Sequence, residues 1–336
     1  MKFILTADTH FSSYSQDKID SKTKLPERLS GLYISFINMI EYGIQNKINN
    51  MVIAGDTFHN KSILYTVAQS IVLDIVRQYS NNMHFIFLSG NHDMSSMTGD
   101  GVSATKCLDN EKNVTTIHTS QMIENILFVP WNPRLMISTI KEGNADYLIS
   151  HLGLNEGILN SGISLVSDIG LKDLKQYKHV YLGHYHTPQK VGNVTYVGNP
   201  THLDWNDKNQ EKRFIVFDSE TGEEKSIPTS GYKKHYEFNI TLKNKDEILE
   251  EATKLKSEGH FIKINKTDNF DLSSIEKDFD VVDKTEQDVT NRGINSSMST
   301  SDKLNRFLEI KEISVEKRDS YRNIALDIMN SVSEMK

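Results

Sequence analysis

One segment of the chain joins a strand-like run to a group of polar side chains, Met51-Val52-Ile53-Ala54-Gly55-Asp56-Thr57-Phe58-His59. Its first four residues are apolar and partly β-branched, which is typical of a short buried strand. The run stops at Gly55, a residue type that permits a sharp turn, and Asp56 and His59 follow at once. The segment therefore predicts a central strand whose end presents potential metal ligands.

Four further apolar runs end in the same way. Phe3 to Ala7 precedes Asp8-Thr9-His10, Phe85 to Ser89 precedes Gly90-Asn91-His92-Asp93, Tyr147 to Ser150 precedes His151, and Val180 to Leu182 precedes Gly183-His184-Tyr185-His186. Ligands of open α/β sheets bind beyond the carboxyl ends of the strands, so we expect these polar residues to converge on one edge. Asp8 and His10 are two residues apart, as are His184 and His186. In extended backbone this spacing directs both side chains of a pair to the same side.

Amphipathic helices separate the early strand-like runs. Apolar residues recur at a helical period in two segments: Leu29, Leu32, Tyr33, Phe36, Ile40 and Ile44, and Leu64, Val67, Ala68, Ile71, Val72, Ile75 and Tyr79. A further strand is predicted over Ile126 to Val129. The alternation of strands and helices indicates an α/β layered fold with a buried sheet.

The predicted edge carries more potential ligands than one metal ion needs. They are Asp8, His10, Asp56, Asn91, His151, His184 and His186. Imidazole and carboxylate groups together suit manganese, iron or zinc better than calcium or magnesium alone. The economical arrangement is two divalent ions that share a carboxylate, and such a pair can clamp a phosphoryl group and activate water.

Composition limits the classes of function. The 336 residues include 38 Lys and Arg against 45 Asp and Glu, a formal charge of −7, with 37% hydrophobic residues. This is typical of a globular protein, and a nucleic-acid partner would need local basic patches, metals or a second subunit. The single cysteine, Cys107, excludes disulfide frameworks and cysteine zinc sites, and we expect it to be a buried small apolar residue. No apolar run approaches the about 20 residues of a membrane span, and Asp8 comes too early for a secretory signal, so a cytoplasmic protein is expected.

The pattern of predicted strands and helices changes after Pro228. Strand-like runs over Tyr236 to Leu242 and Phe261 to Ile264 flank a helical stretch near Lys245 to Glu258, and a short strand is predicted near Asp280 to Val282. These elements suffice for a small α+β domain. Asn291 to Thr300 has the polar, Ser-rich composition of a flexible linker. The tail is helical, with two apolar stripes that either pack on the chain's own body or dock on a partner: Leu304, Phe307 and Leu308, and Tyr321, Ile324, Ala325, Ile328 and Val332.

The ordered motifs Asp-x-His, Gly-Asp-x-x-His, Gly-Asn-His-Asp, a lone His and Gly-His-x-His resemble the signature of the calcineurin-like metallophosphoesterases. Within that superfamily the chain looks most like the SbcD-type nuclease branch, including phage recombination nucleases. The segments Gly55-Asp56-Thr57-Phe58-His59, Phe128-Val129-Pro130-Trp131 and Val197-Gly198-Asn199-Pro200 are similar to that branch. The resemblance implies a four-layer sandwich as a nuclease domain over 1–228, a small α+β capping domain over 229–290, a linker over 291–300 and a helical ATPase-binding segment over 301–336.

The resemblance also implies a role for each site residue. One ion would be bound by Asp8, His10, Asp56 and His186, and the other by Asp56, Asn91, His151 and His184. His92 would face the scissile phosphate and protonate the departing 3′ oxygen, and Asp93 would orient His92. His59 would contact the substrate or the leaving group.

The implied activity is that of a manganese-dependent DNA nuclease subunit, a 3′-to-5′ exonuclease on duplex ends and an endonuclease on single strands or hairpins. The resemblance further implies a homodimer, joined to an SMC-like ATPase through its C-terminal helices, in the cytoplasm of a bacterium or a phage-infected host. A cyclic-nucleotide or other small phosphodiester hydrolase would share the metal motifs, and what separates the two is His59, the Gly-Asn-Pro segment and the long extension after His186. A scaffold that keeps the fold without catalysis is the remaining alternative, although all seven ligands are present.

Two basic segments allow two interpretations each. Lys18, Lys22, Lys24 and Arg28, with Tyr14 nearby, form either a solvated loop or a patch that contacts phosphates. Tyr232-Lys233-Lys234-His235-Tyr236 is interpreted as a linker into the second domain, with DNA contact as the alternative. The remaining histidines are interpreted as ordinary surface or core residues: His84, His118, His179, His202, His235 and His260.

Overall fold

A computed structural model of the chain describes residues 1–13, 17–158, 167–268, 270–271, 278–284, 298, 300–311, 313–314, 317–322 and 324. Tyr14, the residues 291–297 of the predicted linker and the later part of the second C-terminal stripe, from Ala325 onward, lie outside the described residues.

Two six-stranded sheets form the body of the protein. The first has the order β12-β11-β1-β2-β3-β4, and the second β5-β6-β7-β8-β10-β9. The strands of the first sheet are β1 (Lys2–Thr6), β2 (Asn50–Ala54), β3 (His84–Leu88), β4 (Val114–Ile117), β11 (Arg213–Asp218) and β12 (Glu223–Pro228). Those of the second are β5 (Gln121–Ile123), β6 (Ile126–Val129), β7 (Tyr147–His151), β8 (His179–Gly183), β9 (Gln189–Val191) and β10 (Val194–Tyr196).

The centre of each sheet is parallel. β1, β2, β3 and β4 run in one direction, as do β6, β7, β8 and β10. Strands buried on both faces read as continuous apolar runs, which is why the five runs noted in the sequence coincide with central strands. Each ends within one or two residues of its predicted limit.

Apolar side chains of the two sheets pack against one another in the centre of the body. Phe217 on β11 is the clearest example, because its ring lies 5.7 Å from Phe3 in its own sheet and 4.9 and 5.0 Å from Tyr147 and Tyr181 in the other. Helices cover the outer face of the first sheet, namely α1 (Glu27–Gln45) and α2 (Thr66–Tyr79). On the opposite side of the body, α3 (Met136–Glu142) and a short 3₁₀ helix (Leu171–Leu174) cover the outer face of the second sheet. The predicted four-layer α/β sandwich is thereby confirmed.

Two details differ from the sequence expectations. The apolar pattern predicts a helix from Leu64, whereas α2 begins at Thr66, because Tyr65 has an extended backbone and precedes the first turn. Cys107 is only half-buried, at the edge of the apolar cluster beneath α1 and α2, and not enclosed in the core.

The C-terminal part contains a three-stranded sheet and, among its described residues, helical segments over 245–257, 300–310 and 317–322. β13 (His235–Ile240), β14 (Phe261–Lys266) and β15 (Asp280–Asp283) form the sheet in that order, and α4 (Lys245–Ser257) connects the first two strands. The chain divides into two compact units, residues 1–237 with 252–262, and residues 238–251 with the described residues from 263 onward. The domain limits proposed from the sequence stay predictions.

Helix α5 (Thr300–Ile310) carries the first C-terminal stripe. Leu308 is buried, whereas Phe307 and Ile310 are 49% and 40% exposed. In the described part of the chain, no helix is both long enough and apolar enough to cross a bilayer.

Candidate active site

The loops after β1 and β2 run side by side at the carboxyl edge of the first sheet. The backbone N–H of Asp8 donates to the carbonyl of Gly55 at 3.0 Å, and that of His10 donates to the carbonyl of Asp56 at 2.9 Å. This pairing brings the carboxylates of Asp8 and Asp56 together at the centre of the predicted edge.

Backbone strain is concentrated at the same place. Asp8, His10, Asp56 and His184 have φ values of 52°, 50°, 53° and 94°, a region that residues other than glycine rarely occupy. Such conformations are unfavourable by about 1–3 kcal/mol each and persist where the surrounding structure enforces them, often at functional sites. Four of the seven predicted ligands are therefore held in conformations that an ordinary turn does not need.

Two glycines allow the strand ends to approach closely. A Cβ added to Gly90 would lie 2.2 Å from Oδ1 of Asp56, and one added to Gly183 would lie 2.3 Å from the carbonyl oxygen of Ala54 and 2.7 Å from Nδ1 of His151. Gly55 does the same for the ring of His151, whose Nδ1 would lie 2.2 Å from an added Cβ, so that the glycines at the ends of three strands leave space for side chains of the site.

The ring of His151 shows how the polar atoms are directed. Its Nδ1–H donates to the carbonyl of Ala54 at 2.9 Å, which turns Nε2 toward Asn91 Oδ1 at 3.1 Å and Asp56 Oδ2 at 3.3 Å. Nδ1 of His184 lies 3.0 Å from the same oxygen of Asn91. Several lone pairs thus converge on a small volume, where a cation would satisfy all of them.

A second convergence of lone pairs lies at His10. Its Nε2 is 3.1 Å from Nε2 of His186 and 3.7 Å from Oδ2 of Asp56. Ligand atoms from Asp8, His10 and His186 lie within 4.8 Å of one another, as do those of Asp8, Asp56 and His151. The donor chemistry fits two divalent ions. Oδ2 of Asp56 lies near His10 on one side and His151 on the other, and Asp8 belongs to both of these groups of ligand atoms.

Burial makes a positive counter-charge necessary. Asp8 and His151 are 0% exposed and Asp56 is 2% exposed, and a buried carboxylate is very unfavourable without a partner. Burial raises the pKa of Asp8 to about 7. Burial also acts on Asp56, but the neighbouring His151 outweighs it and lowers that pKa. Although burial lowers the pKa of His151, Asp56 and Asp8 raise it to about 9.

The other ring ligands are neutral. Burial lowers the pKa of His10 and of His186, and it lowers the pKa of His184 to about 3. Neutral imidazole is the form that binds metals. The carboxylates therefore supply the negative charge of the site and the three rings supply uncharged donors.

His92 and His59 lie beside the predicted ligands. The rings of His59 and His92 stack with their centroids 5.6 Å apart. The centroid of the His10 ring lies 5.1 Å from that of His59 and 4.9 Å from that of His92. Ring nitrogens of His10, His59 and His92 also come within 4.8 Å of one another. The backbone N–H of His92 donates to Oδ1 of Asp56 at 2.7 Å, so that the predicted catalytic histidine is tied directly to the predicted bridging ligand.

Asp93 has a different function in the structure from the one expected. Its carboxylate accepts from the backbone N–H groups of Phe58, Gly90 and Thr57 at 2.9, 2.9 and 3.2 Å, while Nδ1–H of His92 donates to the carbonyl of His59 at 2.5 Å. The expectation that Asp93 orients the His92 ring is corrected by these contacts. Asp93 fixes the loops that carry Asp56 and Asn91, and the His59 carbonyl orients His92.

Comparison with known proteins agrees with this arrangement. The family model described as calcineurin-like phosphoesterase matches residues 1–220. The chain belongs to this family. It is 27% identical over 287 residues to exonuclease subunit 1 of Enterobacteria phage T4, over 77% of this chain and 80% of that protein. It is 23% identical over 139 residues to the D subunit of the nuclease SbcCD from Staphylococcus epidermidis, over 39% of this chain and 37% of that one.

A solved structure described as a novel archaeal phosphodiesterase also matches, at 15% identity and a TM-score of 0.35, over 68% of this chain and 99% of that one. Family membership and the two nuclease relatives confirm the predicted resemblance to SbcD-type proteins and the prediction that the phosphoesterase is a phosphodiester hydrolase. The family uses divalent metals, as the donor set requires.

One residue of the site escaped sequence reasoning. Lys212 is 0% exposed, and the three N–H groups of its Nζ are shared among four oxygen acceptors. These are the carbonyl of His186 at 3.1 Å, Asn199 Oδ1 at 2.5 Å, Asp207 Oδ1 at 2.7 Å and Gln210 Oε1 at 2.8 Å. The ammonium thus fixes the backbone of a predicted ligand. Asn199 belongs to the Gly-Asn-Pro segment, the only sequence signal that led toward this network.

The other basic residues and histidines have mostly structural contacts. Arg28 pairs with Asp17 at 2.8 Å, while Lys18, Lys22 and Lys24 are exposed. His118 bonds Ser89 and Asp109 at 3.1 and 2.9 Å. His84 and His179 bond neighbouring strands through Thr115 and Thr195. His202, His235 and His260 lie near the junction of β13 with the body, where their rings meet other aromatic side chains.

Metal binding is expected to release protons. With a pKa of about 9, His151 holds a proton at pH 7 in the metal-free protein, and Asp8, with a pKa of about 7, holds one in part of the molecules. Both must lose it to coordinate an ion, so Mn²⁺ binding at pH 7 should release about one to two protons and weaken as the pH falls. Calorimetric titrations in Hepes and in Tris measure this, because their ionisation enthalpies differ. Equal binding enthalpies in the two buffers would contradict the expectation, and His84→Gln, away from the cluster, should behave as wild type.

Loss of the buried ammonium should destabilise the body and disturb the site. Lys212→Met removes the ammonium that pairs with the buried Asp207 carboxylate, which should lower the free energy of unfolding by about 3–5 kcal/mol. It should also weaken Mn²⁺ binding by the folded protein, since the His186 carbonyl loses one of its two donors among the described residues and keeps only the backbone N–H of Asn199. Lys208→Met is the matched control, because Lys208 makes an exposed pair with Glu237 and should change stability by about 1 kcal/mol or less. Urea unfolding measures both variants, and equal midpoints would refute the assignment.

Proposed function

We propose that this protein is the nuclease subunit of a DNA-processing complex, which hydrolyses DNA phosphodiesters at a site with two divalent ions, Mn²⁺ in particular. The observation that carries the proposal is the convergence of all seven potential ligands and two further histidines from the carboxyl ends of strands of both sheets, with strained backbone at four of them and buried carboxylates at the centre. The similarity to a phage exonuclease subunit over most of both chains supports DNA as the substrate.

Each ligand position has a defined task in this proposal. Asp8, His10, Asp56 and His186 would hold one ion, and Asp56, Asn91, His151 and His184 the other. When bound, such a pair supplies positive charge that lowers the pKa of water and stabilises phosphoryl oxygens. Asp93 keeps the Asp56 and Asn91 loops in place through its three backbone hydrogen bonds.

His92 is the proposed proton donor to the leaving group. Donation from Nδ1–H to the His59 carbonyl fixes the plane of the ring, and Nε2 is left to carry the proton that the departing 3′ oxygen takes up. The stacked ring of His59 limits the other side of the same space. The polarity that we propose is 3′-to-5′ on duplex ends, with endonuclease action on single strands or hairpins.

The proposed partner is an SMC-like ATPase, bound through the helical segment 301–336. Both nuclease relatives are named as subunits, which supports a partner. Phe307 and Ile310 on α5, and Tyr321 and Ile324 beyond it, are 49%, 40%, 46% and 53% exposed. Exposed apolar side chains in this number on a helical segment are typical of a docking surface.

A homodimer through the nuclease domain completes the proposal. Two contacts join the loops around Lys61, around Met97 to Gly99 and around Asn132. Nζ of Lys61 donates to Sδ of Met97 at 3.0 Å, and Nδ2 of Asn132 donates to the carbonyl of Gly99 at 3.2 Å. These loops and the start of α2 expose Ile63, Tyr65, Met97, Val102 and Leu135 by 38–61%. Because a patch of this kind is unfavourable in water, a second copy of the chain is the occupant that we propose.

Nuclease activity is the first test. With Mn²⁺, wild type should degrade an end-labelled linear duplex, whereas His92→Ala should bind the metal normally and lose at least about 100-fold in rate, because it lacks the proton donor. Asp56→Ala should lose both activity and paired metal binding. A cyclic nucleotide assayed in parallel tests the small-substrate alternative: its turnover with intact DNA would replace the proposal, as would normal nuclease activity in either variant.

Removal of residues 301–336 should separate catalysis from assembly. The truncated protein should hydrolyse a small chromogenic phosphodiester at the rate of the full chain, because none of the predicted ligands lies in that segment. It should no longer bind the ATPase subunit in a pull-down. Retention of the ATPase by the truncated protein would show that the partner docks elsewhere.

The dimer surface is testable by light scattering. Wild type is expected to have the mass of two chains at micromolar concentration, and Val102→Asp with Leu135→Glu should have the mass of one, because two charges would be buried at the interface. Met122→Glu changes an exposed apolar residue on β5, outside the patch, and should leave the mass unchanged. A monomeric wild type, or a dimeric double variant, contradicts this surface.

A further inference from the structure

A groove of about 630 Å³ lies in the first compact unit, beside the start of α1. Four ring side chains line it, Trp205, His235, His260 and Phe261. Its volume is within the range of sites that bind small organic groups, and every lining residue belongs to the same unit.

The rings in the groove form an ordered array. His235 stacks on Phe261 with centroids 4.8 Å apart and planes inclined by 23°, and Trp205 meets the edge of His235 at 4.9 Å and 74°. His202 continues the stack behind His235 at 5.8 Å and 19°. This packing holds the partly exposed indole of Trp205 in a defined orientation in the wall of the groove.

The groove leads toward the predicted metal site. A small cavity, of about 10 Å³, is lined by His10, Arg28 and Leu203, and the last two residues also line the groove. Arg28 is fixed by its bidentate contact with Asp17. One layer of side chains therefore separates the ring array from a predicted ligand.

The charges around the groove are nearly balanced. The cationic residues Lys18, Arg28, Lys233 and Lys256 face the carboxylates of Asp17, Glu27 and Asp204, a difference of 4 − 3 = +1. Lys233 also pairs with Glu27. Such a wall offers little of the broad positive field that binds the backbone of a duplex, whereas stacking on aromatic rings depends on an exposed base face and suits a single strand.

We propose that this groove binds single-stranded DNA next to the metal site, with one base stacked on Trp205. The inference rests on the proposed function, and names the form of DNA that reaches the site. Bases within a duplex are already stacked on one another, so only an unpaired strand or a frayed end can present a face to the indole. Arg28 and Lys18 would contact the adjoining phosphates.

The chain has two tryptophans, which allows a direct optical test. Trp131 is 9% exposed and lies outside the groove, so Trp131→Phe leaves Trp205 as the sole reporter. We expect a dT12 oligonucleotide, titrated with EDTA present to prevent cleavage, to quench this emission and saturate. Binding seen by anisotropy of labelled dT12 without any change in Trp205 emission would overturn the proposal.

Substitutions separate stacking from folding. Trp205→Ala should weaken dT12 binding about tenfold, Trp205→Phe should remain within about threefold because it keeps a ring, and Trp131→Phe should bind as wild type. A 12-bp duplex should bind more weakly and should not respond to Trp205→Ala. Equal losses for duplex and single strand would refute the single-strand assignment.

Failure of this inference can be distinguished from failure of the proposed function. Loss of the Trp205 effects with intact nuclease activity on a duplex removes only the groove. Conversely, dT12 binding through Trp205 without cleavage of any DNA keeps the groove as a single-strand site and removes the proposed catalysis.

Discussion

The enforced proximity of two buried carboxylates, Asp8 and Asp56, is the constraint on which the rest of the site depends. Parallel pairing of β1 with β2 aligns the loops that carry them, and the hydrogen bonds between these loops prevent the acids from separating. Two such charges without water are stable only with positive charge beside them. In the metal-free chain a proton on His151 supplies that charge, and protonation of Asp8 in part of the molecules removes one of the two negative charges. The surrounding rings are arranged so that a cation can take the place of these protons.

Much of this could be predicted because the buried strands and the ligands are adjacent in the sequence. Each central strand is a continuous apolar run, and each ligand follows its run within a few residues, so the topology of the first sheet brings Asp8, Asp56 and Asn91 to one edge. His151 and His184 come from the second sheet, and the packing of the two sheets brings them to that edge. The fold of the body and the identity of the converging residues followed from that pattern. The direction of individual side chains did not, because it depends on contacts between loops.

Asp93 and Lys212 illustrate that difference. Asp93 follows His92 directly, which suggested a contact between them, but its carboxylate accepts from the backbone N–H groups of Thr57 and Phe58 in the neighbouring loop and of Gly90 in its own loop. Lys212 lies far from every motif in the sequence, and only the fold brings its ammonium to the carbonyl of His186. A buried lysine with four oxygen acceptors has no sequence signature, since His186 and Asn199 lie 26 and 13 residues before it and only the fold brings them to the turn of Asp207 and Gln210.

The acidic composition of the chain also finds an explanation in this arrangement. A nuclease with a net charge of −7 cannot rely on a general attraction to DNA, so substrate contacts must be local. The metal ions would neutralise charge where the phosphate reacts, and a ring array beside them would hold bases without positive charge. Affinity from stacking changes less with salt than affinity from phosphate contacts. Such a site would favour frayed ends over intact duplex, because only unpaired bases expose a face for stacking.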